Sequence, residues 1–164
     1  MCTDFVLSIF ALKGGDIIMT IFELANAFLS MGPQSPKKLQ KLCYYAYAWY
    51  LAYNDEELFE NHFEAWVHGP VDPNLYKEYR SKGYSEWNSI PQYVGLVDPD
   101  AKSIAEWVYN AYGNFSATDL EALTHKELPW IDARQGIDPW ERSNAPILSE
   151  NIKKFYREQA KSQR

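Results

Sequence analysis

After Met19 most of the apolar positions recur at helical spacing. "TIFELANAFLS" opens an amphipathic helix over Ile21–Met31, closed by Gly32-Pro33. The second pattern is denser. Leu39, Leu42/Cys43, Ala46, Trp49/Tyr50 and Tyr53 repeat at three- and four-residue steps, and residues 42–53 read "LCYYAYAWYLAY" without one charge. Ser35 suits the N-cap, and Pro36 suits the first helical position, where its missing N–H is not needed. The helix should end near Asn54. Its uncharged part is about 18 Å long at 1.5 Å per residue, too short for a bilayer that needs about 20 apolar residues. A helix apolar on every side is buried on most of them, so this one is expected to be the centre of the fold.

The same punctuation recurs downstream. Asp72 and Pro73 start a helix that should stop near Gly83. Asp98 and Pro99 start another, with an Ile104/Trp107/Val108/Ala111 stripe and Gly113 just past its end. Ser116 with Asp119 approaches a capping box for a third. A short helix is expected over Pro129–Gln135, and Ser149 is expected to cap a final helix carrying Ile152, Phe155 and Tyr156. Only Phe63, Ala65 and Val67 alternate, which allows at most a short extended segment near 63–67. The expected fold is mainly α: a single compact helical domain around a buried central helix.

Composition sharpens this in three ways. The chain has 164 residues, long enough for one domain with a real core. Its net charge is −6, which disfavours broad electrostatic binding to nucleic acid or anionic membrane. The last fifteen residues hold five basic and two acidic side chains, a local +3, so the remainder carries −9. Two cysteines, Cys2 and Cys43, give neither a disulfide framework nor metal-ligand spacing, which fits a reducing, cytoplasmic location. Residues 1–18 have no basic signal-peptide start, and their apolar stretch from Phe5 to Leu12 is too short to span a bilayer. They are expected to be an extension in front of a domain running over 19–158, with 159–164 as a basic tail.

Chemistry is sparse. There is no G-x-G-x-x-G, P-loop, G-x-S-x-G or H-E-x-x-H. His62, His68 and His125 offer no i,i+4 pair and no cysteine neighbour, so no metal or other cofactor is expected. Cys43 lies in the central helix and reads as a small hydrophobe. Glu56, Glu57, Glu60 and Glu64 read as a solvated acidic turn. Two stretches exceed what simple packing asks for. In "EAWVHGPVDP", Gly69-Pro70 demands a specific turn flanked by Trp66 and His68. In "LTHKELPWIDAR", Thr124, His125, Pro129, Trp130 and Arg134 fall within about three turns' worth of chain. In a purely structural reading Thr124 or His125 caps a helix end, and Pro129 and Trp130 cover the core. In a functional reading the set Trp66, His68, Gly69, Pro70, Thr124, His125, Pro129, Trp130 and Arg134 contacts a partner or braces the surface that does.

The ordered set "KLQKL" (Lys38, Leu39, Gln40, Lys41, Leu42) followed by Tyr44-Tyr45, then "WVHGPV", then "LTHKELPWIDAR" resembles the Panacea domain, also called the SocA-like antitoxin domain. The resemblance runs from about Met19 to Phe155. It implies a cytoplasmic, non-enzymatic antitoxin, common in bacteria and prophages, that neutralises a cognate protein toxin encoded next to it by direct contact. Some members instead act as adaptors handing a bound toxin to a ClpXP-type protease. No helix-turn-helix is read in the sequence, so direct nucleic-acid binding is not expected. The rival reading is an enzyme or metal protein using His68 and His125.

Overall fold

A computed structural model of the chain describes residues 19–80, 85–88, 90 and 99–163. The expected extension 1–18, the stop at Gly83 and the cap at Asp98 lie outside these residues. Among the described residues the fold is mainly α, with seven helices and one very small sheet. In chain order they are α1 (Ile21–Ser30), α2 (Pro36–Asn54), strands β1 (Glu64–Trp66) and β2 (Gly69–Val71), α3 (Pro73–Tyr79), α4 (Pro99–Tyr112), α5 (Ala117–Thr124), α6 (Leu128–Ala133) and α7 (Ser149–Ser162).

Helix α2 is the axle. Ser35 Oγ accepts the Lys38 amide at its start, and Pro36 occupies the first turn. Fifteen of its nineteen residues are buried, so neighbours surround it on nearly every side. Helices α1, α4, α5 and α7 and strand β2 all pack on it. Its rings interlock mostly edge to face: Tyr44 meets Phe63 at 5.3 Å, and Trp49 meets Tyr156 at 5.0 Å. Tyr45 instead stacks on Tyr112 of α4 at 4.2 Å. At its far end Asp55 takes a left-handed conformation, φ 61°, which few non-glycine residues adopt. Lys153 and Arg157 of α7 hold its carboxylate at 2.8 and 3.0 Å, and Arg157 Nε also caps the Ala52 carbonyl.

Several local expectations are refined. The extended segment near 63–67 is one half of an antiparallel hairpin, in which Glu64 faces Val71 and Trp66 faces Gly69. The partner strand escaped notice because Gly-Pro-Val has no alternating pattern. Backbone bonds from Ala65 to Ala145 and from Ile147 to Phe63 line the other edge of β1. The buried stripe of α4 is Ala101, Ile104, Ala105 and Val108; Trp107 is half-buried and Ala111 is exposed, because Tyr112 takes the last core-facing place. Gly113 follows α4 without a left-handed φ. A Cβ there would sit 2.4 Å from the Tyr109 carbonyl oxygen, so close approach, not φ, requires glycine. The short helix over 129–135 is observed as Leu128–Ala133. Ser149 is the first residue of α7 and not its cap. Its hydroxyl donates to Glu57, which also accepts from Tyr47. Glu57 therefore leaves the solvated acidic turn and joins α2 to α7.

Trp49 is 4% exposed, and its indole N–H donates to Tyr112 at 2.8 Å. Trp49→Ala is expected to cost about 3–5 kcal/mol, the range for a buried large aromatic. Urea unfolding of the two proteins, read as a lowered midpoint at constant slope, checks this.

Candidate functional site

The three sequence motifs meet at the hairpin, and its backbone is where they meet. From one side come adjacent residues of α2. The Gln40 amide pairs with both backbone groups of Asp72: Nε2 donates to its carbonyl at 3.0 Å, and Oε1 accepts its N–H at 2.9 Å. Lys41 Nζ donates to the Pro70 carbonyl at 3.0 Å. Side chains thus stand where a third strand would be. From the other side come α6 and the residue that closes it. Trp130 Nε1 donates to the Trp66 carbonyl at 2.9 Å, and Arg134 Nη1 donates to the Ala65 carbonyl at 2.8 Å.

Gly69 sits between the two sides. Its φ is +98°, and a Cβ would lie 2.6 Å from Lys41 Cε and 2.8 Å from Thr124 Oγ1. Both the backbone conformation and the crowding demand glycine. The Thr124 hydroxyl turns back to the Glu121 carbonyl, and His125 closes α5. The His125 ring stacks on Trp130 at 4.1 Å, and the Arg134 guanidinium lies over the same indole at 5.1 Å. Arg134 Nη2 reaches on to the carbonyls of Asp138 and Glu141, at 2.9 and 2.8 Å. One buried arginine therefore fastens both the hairpin and the 138–141 loop to the end of α6.

Of the nine residues singled out in the sequence, Gly69, Pro70, Thr124, Pro129 and Arg134 are buried. Trp66, His125 and Trp130 are half-buried, and His68 is exposed. All are drawn to the hairpin and the α5–α6 junction. His62 is not: it pairs with Glu60 at 3.4 Å. Among the described residues, no group of three or more His, Cys, Asp or Glu side chains is placed to hold a metal ion.

Sequence reasoning missed the polar groups buried beneath the motifs. Lys41 is 1% exposed, and burial pulls its pKa down to about 7, against the attraction of Glu121. Glu121 pairs with Lys37 and, at 3.0 Å, with His68. Burial alone would raise its carboxyl, but these two partners hold it below the ordinary value. Glu127 accepts the hydroxyls of Tyr45 and Tyr156, at 3.0 and 2.6 Å, and burial pushes it up to about 7. Burial lowers His125 and raises Asp72, whose carboxylate accepts the Asn74 and Leu75 amides at the start of α3. The available signal was spacing: Lys41, just before the charge-free run, shares a helical face with Tyr44, Tyr45 and Ala48.

The family description "Antitoxin SocA-like, Panacea domain" matches residues 39–131, more than half of the chain. The chain belongs to this family. The matched span starts on α2, includes the hairpin and ends within α6, so the Panacea segment contains most of the interlocked network. Arg134 and the loop it holds lie beyond it. No curated protein and no solved structure matches the chain. No helix among the described residues is long and apolar enough to cross a membrane.

Gly69→Ala is expected to lose at least about 1–3 kcal/mol from backbone strain, before any displacement of Lys41. Thermal unfolding of the variant measures it. The two groups near 7 also set a pH profile. Lys41 binds its proton more weakly folded than unfolded, so its contribution to stability rises between about 7 and the ordinary 10.5. Glu127 binds its proton more tightly folded, so its contribution falls between the ordinary 4.5 and about 7. Denaturant midpoints across pH should show a shallow minimum near neutrality. Lys41→Met should remove the upper limb and Glu127→Gln the lower one.

Proposed function

We propose that this chain is a cytoplasmic antitoxin that neutralises a cognate protein toxin, encoded beside it, by binding it directly. Membership of the SocA-like Panacea family carries the proposal. The site chemistry supports a binding role over an enzymatic one. The indole of Trp130, the guanidinium of Arg134 and the ammonium of Lys41 are each committed to a backbone carbonyl of the hairpin or its flank. Their work is to fix a shape.

The surface that shape presents lies just outside. Leu128 and Ile131 are exposed three positions apart on α6, and Trp140 is 83% exposed on the loop that Arg134 pins. A rigidly carried aromatic is an anchor type found at protein interfaces. Asp132, Asp138 and Glu141 are exposed around it in sequence, so the partner surface that fits is an apolar recess with a basic rim.

Co-expression with the neighbouring gene product in cells tests this. The wild-type chain should restore growth and co-purify with an undiminished toxin. An adaptor would instead lower the toxin level, and only in cells that contain the ClpXP-type protease. Trp140→Ala should fold normally yet weaken binding by about 2 kcal/mol, near thirtyfold, the scale of an interface anchor. Arg134→Ala should weaken binding and lower the melting temperature together. Failure of the wild-type chain to bind or rescue, with both proteins expressed, would refute the proposal.

A further inference from the structure

On the side of Glu127 reached by the α2 and α7 tyrosines lies a feature that the hairpin does not use. A cavity of about 370 Å³ opens where α2, the end of α4, the α5–α6 junction and α7 converge. Its walls include four aromatic rings, Tyr112 and Phe155 half-buried and Trp49 and Tyr156 almost fully buried, and one carboxylate, Glu127. The rings stand at steep angles to one another: Trp49 against Tyr156 at 79°, and Phe155 against Tyr156 at 80°. Their polar edges are already occupied. The Trp49 N–H donates to the Tyr112 hydroxyl, and the Tyr156 hydroxyl donates to Glu127.

Glu127 is the unusual member. Each of its oxygens accepts one tyrosine hydroxyl and keeps further acceptor capacity. Burial and the two tyrosines set its ionisation, and among the described residues no basic side chain offsets the charge. Lys126 lines the same cavity but is exposed to solvent. Burial among aromatic rings without a positive partner pushes this carboxyl toward its protonated form near neutral pH, and a cation that joins it favours the charged form again.

We propose that this recess is a binding site for an organic cation, an alkylammonium or guanidinium head, held against the half-buried rings of Tyr112 and Phe155 with Glu127 as its counter-charge. Ring faces attract such a head most strongly when water is excluded. The recess has room for a trimethylammonium group or the end of an arginine side chain. The site stands on these residues alone and does not depend on the antitoxin reading.

The test follows the indole N–H resonance of Trp49, assigned with Trp49→Phe, in the full chain at fixed ionic strength. Three probes are titrated: tetramethylammonium chloride, N-acetyl-arginine methylamide and neopentyl alcohol as the uncharged shape match. A saturable shift is expected with at least one cation and not with the alcohol. Tighter binding by the arginine derivative identifies a partner protein's side chain as the source of the cation; binding of tetramethylammonium alone identifies a small free quaternary amine. Glu127→Gln should weaken the cation about tenfold, a loss of the size of one buried charge contact. Lys126→Ala, at an exposed rim position, should tighten it. If Glu127→Gln does not fold, Phe155→Ala, which removes a half-buried wall, should weaken binding in its place. An equal response to the alcohol, no saturation with either cation, or unchanged affinity in folded Glu127→Gln or Phe155→Ala would overturn the proposal.

Discussion

The structure depends on satisfying the backbone of a hairpin too small to satisfy itself. Two strands of three residues make few ladder bonds, and an isolated hairpin of this kind is marginal in water. Here its carbonyls and one amide are met by side chains: Gln40 and Lys41 on one flank, Trp130 and Arg134 on the other. Buried backbone groups left unpaired would each cost on the order of 1–3 kcal/mol. The motifs are therefore not three features but the parts of one hydrogen-bonded assembly, and Gly69 is the clearance that lets the parts close.

That assembly explains the unusual chemistry of the core. A central helix surrounded by others would be expected to carry only apolar groups. This one carries an ammonium at its hairpin end and hands a tyrosine hydroxyl to a buried carboxylate further along. Replacing buried ionic groups with hydrophobic ones often stabilises a protein, so their presence is better understood as geometric specification than as a source of stability. Lys41 and Gln40 fix where the hairpin lies on α2; Glu127, through Tyr45 and Tyr156, fixes how the α5–α6 junction and α7 meet it.

The coarse architecture was legible in the sequence because its signals are local. Ser35-Pro36, Asp72-Pro73 and the Ser116/Asp119 box each define a helix start within four residues, and the uncharged run is best explained as a core helix. What was not legible was long-range. Nothing beside Lys38 and Lys41 in sequence says that one reaches the carbonyl of Gly113 while the other is buried against Pro70. The nine residues singled out in the sequence are drawn to the hairpin and the α5–α6 junction, but the burial of Arg134 was not foreseen. Arg134, one of the nine residues singled out, is 5% exposed and bonded to four backbone carbonyls. Trp140, the most exposed large hydrophobic residue described, belongs to no helical stripe and gave no periodic signal.

The distances along the chain between the joined groups have a consequence for synthesis. Ala65 waits for Arg134, 69 positions later, and Tyr45 waits for Glu127, 82 positions later. Arg157 reaches back 105 positions to the Ala52 carbonyl. At translation rates of about 5–20 residues per second, the hairpin is emitted seconds before its outer clamp exists. Until then the aromatic face of α2 has no α7 to cover it. The nascent chain thus passes through an interval in which its most extensively buried helix is made and uncovered, and the core closes only as the last described helix leaves the ribosome.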